Sequence, residues 1–180
     1  AITLTDEMLG QFADSENGGF FFTANGEEAV VYRQKPIGDD ALPAGNAVAI
    51  RVLERLGYLL GETRYIKAAE AILEYANGGI SEFPQAHVSM IDAAHQLTEA
   101  SEIIVLRGDA ATCATWQRDI ERVYAPLRWV IAIDNDADLP NSLAVKKAPT
   151  HGARAYICRG MQCTAAIDDW TTLAAEIRNR

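Results

Sequence analysis

Polar side chains that could bind a small molecule are concentrated just before a predicted helix start. They are Arg33, Lys35, Asp39, Asp40 and Asn46. Carboxylate and carboxamide groups hold sugar hydroxyls in pairs, and a guanidinium group adds a rigid fork of donors. If burial separated the pKa values of the two aspartates, they could also share acid and base roles. The segment therefore predicts a sugar site in which Asp40 is catalytic and the other four side chains bind substrate.

The same segment also has a purely structural interpretation. A salt bridge between Arg33 and Asp40 would fix the loop, and Asn46 would cap the helix that follows. Charged loop residues beside helix starts commonly have this role. The two interpretations differ in whether the polar side chains converge on one concave surface.

His87 is a second candidate for catalysis, because it lies near a predicted helix start where it could face a cavity and act as a base. The alternative is a half-buried histidine whose hydrogen bonds are satisfied within the fold. His95 follows eight positions later, about 12 Å along a helix axis, so the two imidazoles cannot share one metal ion. The sequence predicts no metal site and no cofactor.

Cys158 and Cys163 are candidates for thiol redox chemistry, with four residues between them. That spacing exceeds the two residues of a thioredoxin motif and of most zinc knuckles. The alternative is that each buried cysteine packs as a small apolar side chain. Because three cysteines are too few for a disulfide scaffold at this length, we expect reduced thiols, Cys113 included, in a cytoplasmic compartment.

Composition limits the classes of function. The chain has 180 residues, 49% of them hydrophobic, and a formal net charge of −9. Such an acidic protein repels phosphate groups, which argues against partners such as nucleic acid or an anionic membrane surface. No apolar run approaches the roughly 20 residues needed to span a bilayer. The chain begins directly on a predicted helix, without a signal peptide, which indicates a segment of a longer protein.

Helices must position the candidate residues of the first hundred positions. Capping residues at positions 5–7 predict a short helix to about Ala13. Extended pieces at 19–23 and 29–33 flank an Asn-Gly turn, and positions 35–43 are predicted to be irregular. Apolar spacing of three and four then predicts helices at 45–60, 64–76 and 84–99. Their short links favour stacked antiparallel hairpins.

The pattern changes after residue 100, which divides a helical region (1–100) from a small α/β unit (101–180). Continuous apolar runs at 102–106 and 129–133 predict buried strands, and the helix between them predicts a parallel crossover. A third strand is predicted at 153–158, and Asp168-Asp169 should cap a terminal helix to about Ile177. The predicted fold is mostly α with a small three-stranded α/β unit of the parallel type.

Four segments carry a resemblance to a known family: GGFFFT at 18–23, DALPAGNA at 40–47, EIIV at 102–105, and AYICR at 155–159 with Cys163 behind it. In this order they resemble the C-terminal part of the thioredoxin-domain-containing family that includes the spermatogenesis-associated thioredoxin-like protein. This resemblance implies hairpins of a six-hairpin (α/α) toroid similar to that of N-acylglucosamine 2-epimerase, preceded elsewhere by a thioredoxin-like domain. It also implies a carbohydrate-related function, with His87 as a base like histidines of epimerase relatives.

The chain departs from the family where Pro43-Ala44-Gly45-Asn46-Ala47 replaces the usual Pro-Ser-Gly-Asn-Ser, so two hydroxyls are lost. The resemblance therefore leaves two functions open. One is binding or isomerisation of a small sugar, and the other is a non-catalytic scaffold that supports thiol chemistry or partner binding by a thioredoxin-like domain. Because hairpins separated from a toroid would leave apolar surface uncovered, we also expect self-association of this chain, most simply as a dimer.

Overall fold

Apolar side chains spaced three and four apart build the first part of the chain into helices, and continuous apolar runs build the second part into a sheet. The structure is a computed structural model that describes residues 1–26, 32–137, 139–149 and 151–178. The helical unit consists of Ala1–Gly57 and Glu62–Glu99, and the mixed unit consists of Tyr58–Gly61 and Ala100–Arg180. The prediction of a mostly helical chain with a small α/β unit is confirmed.

The first helix, α1, spans Ile2–Phe12 and begins earlier than predicted. Thr5 is buried within it rather than capping it. Asp6 instead makes a tertiary contact, because its carboxylate accepts a hydrogen bond from the Tyr65 hydroxyl and pairs with Arg64 at 2.8 Å. The polar residues that suggested a helix start therefore attach α1 to the rest of the helical unit.

In the described residues of the two predicted extended pieces, pairing is limited to an isolated bridge. Phe20 forms a single antiparallel bridge with Ala13, and the following residues bend without forming a strand. Residues 27–31, most of the second predicted piece, lie outside the described part of the chain. The irregular conformation predicted for 35–43 is confirmed.

Two long helices follow. Helix α2 spans Gly45–Leu60, as predicted, and α3 spans Thr63–Glu82, six residues beyond its predicted end. The predicted end at residue 76, just before Asn77-Gly78-Gly79, is wrong because Gly79 allows close packing instead of ending the helix. A β-carbon there would lie 2.8 Å from Cδ1 of Ile37 and 3.2 Å from Nε2 of His87.

The third predicted helix is interrupted. Pro84–Ala86 form one 3₁₀ turn, His87 departs from helical geometry, and α4 begins at Val88 and ends at Glu99. The proline sits at the first position of the turn, where its missing N–H costs nothing.

A four-stranded sheet forms the centre of the mixed unit. In chain order its strands are β1 Glu102–Gly108, β2 Arg128–Ile133, β3 Ala153–Arg159 and β4 Gln162–Cys163. Their order in the sheet is β2-β1-β3-β4. Strands β1 and β2 pair in parallel, as predicted, with Glu102 opposite Arg128 and Arg107 opposite Ile133.

The sheet is mixed rather than wholly parallel, and it has a fourth strand that the sequence did not predict. Strand β3 runs antiparallel to β1, with Gly108 opposite Ala153. The described residues between β2 and β3 contain one single-turn helix, α6 (Asn141–Ala144), and β3 begins at the end of the sheet where β2 finishes. A parallel β3 would need a connection that brings the chain back to the opposite end of the strands.

Two helices cover one face of this sheet. They are α5, Ala110–Glu121, and α7, Trp170–Arg178. Alternate β1 residues Ile104 and Leu106 pack there with the apolar side chains Trp116, Ile120, Leu173 and Ile177. Asp169 accepts a hydrogen bond from the Thr172 amide at 2.8 Å, which confirms the predicted cap of α7.

Within the described residues, no helix combines the length and apolar character needed to cross a bilayer.

Candidate functional site

Asp39 connects the irregular loop to the start of α4. Its Oδ2 accepts a hydrogen bond from the Ser89 amide at 2.8 Å, and its Oδ1 accepts from the Ser89 hydroxyl and from the Ala44 amide, the latter at 3.0 Å. These bonds, the one from the Ser89 hydroxyl first among them, hold the pKa of Asp39 below its usual value. The Asp39 amide also donates to the Ala86 carbonyl at 2.8 Å. The carboxylate is therefore ionised and serves as the N-terminal cap of α4.

Beside Asp39 lies an open depression of about 500 Å³. We call it the Asp40 depression; its lining residues are Asp39, Asp40, Ala41, Leu42, Pro43, Arg51, Val88, Ser89 and Asp92. The loop supplies residues 39–43, α2 supplies Arg51, and α4 supplies Val88, Ser89 and Asp92. Asp40 is exposed there, with its carboxylate open to solvent.

Arg51 and Asp92 form an ion pair across the depression, through Nη2 and Oδ2. The Nε of Arg51 is buried and has no hydrogen-bond partner among the described residues. The lining of the depression thus combines a guanidinium group with the carboxylate residues Asp40 and Asp92.

Asn46 lies elsewhere and is buried. Its Oδ1 accepts from the Phe20 amide at 2.7 Å, and its Nδ2 donates to the carbonyls of Phe20 at 3.1 Å and Pro36 at 2.8 Å. The side chain therefore joins two loop segments to α2, and its amide hydrogens are already in use. It does not line the Asp40 depression.

Lys35 is directed to a second polar cluster. Its Nζ lies 2.7 Å from Oδ2 of Asp14 and 2.9 Å from the Gly18 carbonyl, and 3.8 Å from the centroid of the Tyr75 ring. The ammonium group is the main cause of a strongly lowered pKa of Asp14. Asp14, Gly18 and Tyr75 also line a separate cavity of about 570 Å³, formed by residues 13–20 and α3.

Arg33 holds the loop that precedes it. Its guanidinium carbon lies 3.9 Å from the centroid of the Phe21 ring, and Nη1 donates to Oδ1 of Asn25 at 2.6 Å. Nη2 donates to the Thr23 carbonyl. In the part of the chain that the structure describes, neither Arg33 nor Lys35 forms an ion pair with Asp40, so the alternative of an Arg33–Asp40 salt bridge is not observed.

His87 is buried at the break before α4. Its Nδ1 lies 2.8 Å from the Phe83 carbonyl, to which it donates a hydrogen bond. Nε2 points toward Gly79, against which the ring packs. His87 is absent from the residues that line the Asp40 depression, so the two predicted catalytic groups do not share one concave surface.

Cys158 and Cys163 are joined in a disulfide. They are directly opposite each other on β3 and β4, with Cα atoms 3.9 Å apart. The expectation that this pair is reduced is therefore contradicted, because the unpredicted strand β4 folds back on β3. Cys113 is free and buried, and burial raises the pKa of its thiol.

Three lining residues of the depression were not identified from the sequence. Ser89, Arg51 and Asp92 lie on predicted helices, where polar side chains at exposed positions are ordinary. The one signal that could have identified any of them was Ser89 near a helix start, since hydroxyl side chains often form hydrogen bonds at helix N-termini. No spacing rule links positions 39 and 89. Among the described residues, no group of three or more His, Cys, Asp or Glu side chains is placed to hold a metal ion.

Comparison with known proteins adds no identification. No family model matches the chain, and no curated protein matches it. Its function therefore has to be inferred from the geometry of its own residues.

Proposed function

We propose that this chain is a binding module for a small polyhydroxyl ligand, such as a sugar, and that the ligand occupies the Asp40 depression. The observation that carries the proposal is that Arg51 lines the same concave surface as the carboxylate residues Asp40 and Asp92. A ligand hydroxyl would accept a hydrogen bond from the guanidinium group of Arg51. The neighbouring carboxylates of Asp40 and Asp92 would in turn accept hydrogen bonds from the ligand.

The size and lining of the depression support this class of ligand. Its volume of about 500 Å³ falls within the range of small-molecule sites. Leu42 and Val88 are exposed beside the polar groups. Sugars have apolar C–H faces as well as hydroxyls, so a rim that combines aliphatic and charged side chains suits them.

We propose binding rather than isomerisation. Isomerisation requires an acid as well as a base within reach of the ligand, and of the two predicted catalytic residues only Asp40 lines the depression. His87 is committed to the Phe83 carbonyl and packs against Gly79, apart from the depression. Asp39 has its oxygens in hydrogen bonds to Ser89 and Ala44, which favours a permanently ionised structural carboxylate.

We also propose that the helices belong to a toroid of the (α/α) type. Helices α2 and α3 are long and are joined by Gly61-Glu62 alone, and α3 packs on α4. Val48, Val52 and Ile91 remain exposed on the outer faces of α2 and α4. Further hairpins or a second copy of the chain would cover such apolar side chains.

The second candidate function is that of a non-catalytic scaffold for another domain or partner. It is favoured by the use of Asn46, whose amide binds the loop backbone at Phe20 and Pro36. Asn46, which was predicted to bind substrate, instead holds two loop segments in place. The two candidates differ in whether Arg51 and Asp40 have a ligand.

A thermal-shift screen with monosaccharides and N-acylated amino sugars separates them. A ligand at 100 times its Kd should stabilise the native state by about 2.7 kcal/mol and raise Tm accordingly. Arg51→Lys keeps the positive charge near Asp92 but removes the rigid fork of guanidinium donors, so it should abolish the shift, as should Asp40→Ala. Asp136→Ala changes an exposed aspartate outside the depression and is the matched control.

The scaffold function gains support if no sugar raises Tm at millimolar concentration. An equal shift for the unsubstituted chain and for both site variants would show that the ligand binds elsewhere and would contradict the proposed site.

A further inference from the structure

The disulfide of the mixed unit lies at the open edge of the sheet. Strand β4 has two residues and is the outermost strand, so it has a neighbour on one side only. Cys163 on β4 is exposed, whereas Cys158 on β3 is 3% exposed. A reagent that approaches from solvent therefore reaches the sulfur of Cys163 first.

The hairpin does not depend on the disulfide alone. Gly160 adopts a positive φ of 56° at the turn, a conformation that glycine adopts without strain. Arg159 pairs with Gln162 across it. Beyond the cysteines, the Thr164 amide donates to the Ile157 carbonyl at 2.8 Å, and the Ile157 amide donates to Oγ1 of Thr164 at 3.2 Å.

The loop that the disulfide closes is short, with a sequence separation of 5. Closing a short loop removes less chain entropy from the unfolded state than closing a long one, so reduction should cost the fold less than loss of a long-range disulfide would. Because the backbone contacts remain on both sides, the two thiols should stay adjacent after reduction. Oxidised and reduced forms can then interconvert without unfolding.

We propose that Cys158–Cys163 is an exchange site for an external thiol, in which Cys163 receives the thiol and Cys158 is the resolving cysteine. The proposal does not depend on whether the Asp40 depression binds a ligand. The co-reactant is a low-molecular-weight thiol or a dithiol.

The exchange is balanced as follows. The external thiolate attacks Sγ of Cys163, the bond between the two cysteines breaks, and Cys158 leaves as a thiolate that takes a proton from water. Attack of Cys158 on Sγ of Cys163 reverses the step and releases the external thiol. Alternatively, a second external thiolate attacks the external sulfur of the mixed disulfide. That step releases Cys163 as a thiol and forms an external disulfide, so two electrons reduce the protein pair.

Cys113 is an internal control for the reaction with external thiols. It is a free thiol, but it is buried in the core of the mixed unit among Ile104, Trp116 and Leu173. External thiols should leave Cys113 unmodified in the native protein, because burial prevents both their access to its sulfur and the formation of its thiolate.

The test uses the full oxidised chain, exposed to reduced glutathione, quenched in acid and digested with trypsin. Cleavage after Arg159 separates the two cysteines, which places Cys158 in peptide 155–159 and Cys163 in the peptide that begins at Gly160. We expect about tenfold more glutathione adduct on Cys163 than on Cys158, and none on Cys113. The single variants have no disulfide to attack, so they are exposed to oxidised glutathione instead. In Cys158→Ser the Cys163 thiolate attacks that disulfide, releases one glutathione thiolate and keeps the other glutathione as an adduct, because the resolving thiol is gone. In Cys163→Ser the adduct on Cys158 should be scarce, because Cys158 is buried.

A dithiol such as dithiothreitol should yield both thiols free and no lasting adduct. The melting temperature of the reduced chain and of the Cys158→Ser, Cys163→Ser double variant should stay close to that of the oxidised chain. Adduct mainly on Cys158, resistance of the disulfide to both reagents in the native protein, or loss of the native fold on reduction would each overturn the proposal.

Discussion

Asp39 and Ser89 lie 50 positions apart in the sequence and are joined by two hydrogen bonds, one to the Ser89 amide at 2.8 Å and one to its hydroxyl. This contact fixes the loop that carries Asp40 against the first turn of α4. The same carboxylate binds the Ala44 amide beside α2. One side chain thus holds together the loop, the first turn of α4 and the start of α2 that surround the proposed site.

Replacing Asp39 should therefore destabilise the helical unit. Asp39→Ala removes an N-terminal cap, and we expect the free energy of unfolding to fall by about 1–2 kcal/mol. Asp39→Asn, which keeps one acceptor oxygen, should lose less. Urea unfolding at pH 7 measures both, with Asp136→Ala as an exposed control. A change within about 0.5 kcal/mol for Asp39→Ala, the range of ordinary surface substitutions, would contradict this role.

Asn46 offers a second test of how the loops are held. Asn46→Ala leaves the amide and carbonyl of Phe20 and the carbonyl of Pro36 without their partner in a buried region. Unsatisfied buried polar groups cost about 1–3 kcal/mol, and we expect a loss in that range. The exposed Asn77, in the middle of α3, gives a matched Asn→Ala control that should show no loss. Equal stabilities of Asn46→Ala and Asn77→Ala in chemical denaturation would show that the Asn46 side chain does not stabilise the loops.

The periodicity of apolar residues allowed much of the fold to be predicted, because this periodicity follows from which side of each helix or strand is buried. The range of α2 and the parallel pairing of β1 with β2 follow from apolar spacing and apolar runs. The end of α3 could not be predicted in this way, since Gly79 is used for contact with Ile37 and His87, and that contact is tertiary. Strand β4 was missed because two residues carry no pattern.

The candidate site was less accessible to sequence reasoning. The cluster from Arg33 to Asn46 is polar as predicted, but its side chains separate in space. Lys35 binds Asp14, and Asn46 binds Phe20, while Asp40 faces the depression with Arg51. Adjacent charges in an irregular loop point in different directions, and no periodicity specifies which direction each takes.

The pair Lys35 and Asp14 predicts a pH dependence of stability. The folded-state pKa of Asp14 is lowered, first by its hydrogen bond from Lys35. The stabilisation of the fold by the ionised Asp14 is therefore fully present above the usual aspartate pKa. This stabilisation is lost as the pH falls through the lower pKa of Asp14 in the folded state. The difference in unfolding free energy between the unsubstituted chain and Asp14→Asn should be constant near neutrality and shrink below about pH 4.

Denaturant unfolding at a series of pH values measures this difference. Glu16→Gln removes an exposed carboxylate from the same loop and is the control. A difference that stays constant down to the lowest pH at which the chain folds would show that the Asp14 charge contributes nothing.

Self-association is expected through the outer faces of α2 and α4. Val48 and Val52 are 46% and 39% exposed, and Ile91 is 41% exposed. Sedimentation should detect a dimer at high micromolar concentration, and Val52→Asp should shift it to monomer. Val145→Asp, at an exposed position of the mixed unit, should leave the dimer intact. A clean monomer for the unsubstituted chain would exclude this interface.

Ligand binding in the Asp40 depression is measured most directly by nuclear magnetic resonance, through amide shifts of the labelled chain during titration with a sugar that raises its Tm. The amides of residues 39–43 and 88–92, together with the Arg51 Nε–H, should shift in a saturable way, and those of the β3–β4 hairpin should not. The same titration of Arg51→Lys should produce no saturable shift. Shifts confined to residues 13–20 and α3, or no saturable shift at all, would contradict a binding site in the Asp40 depression.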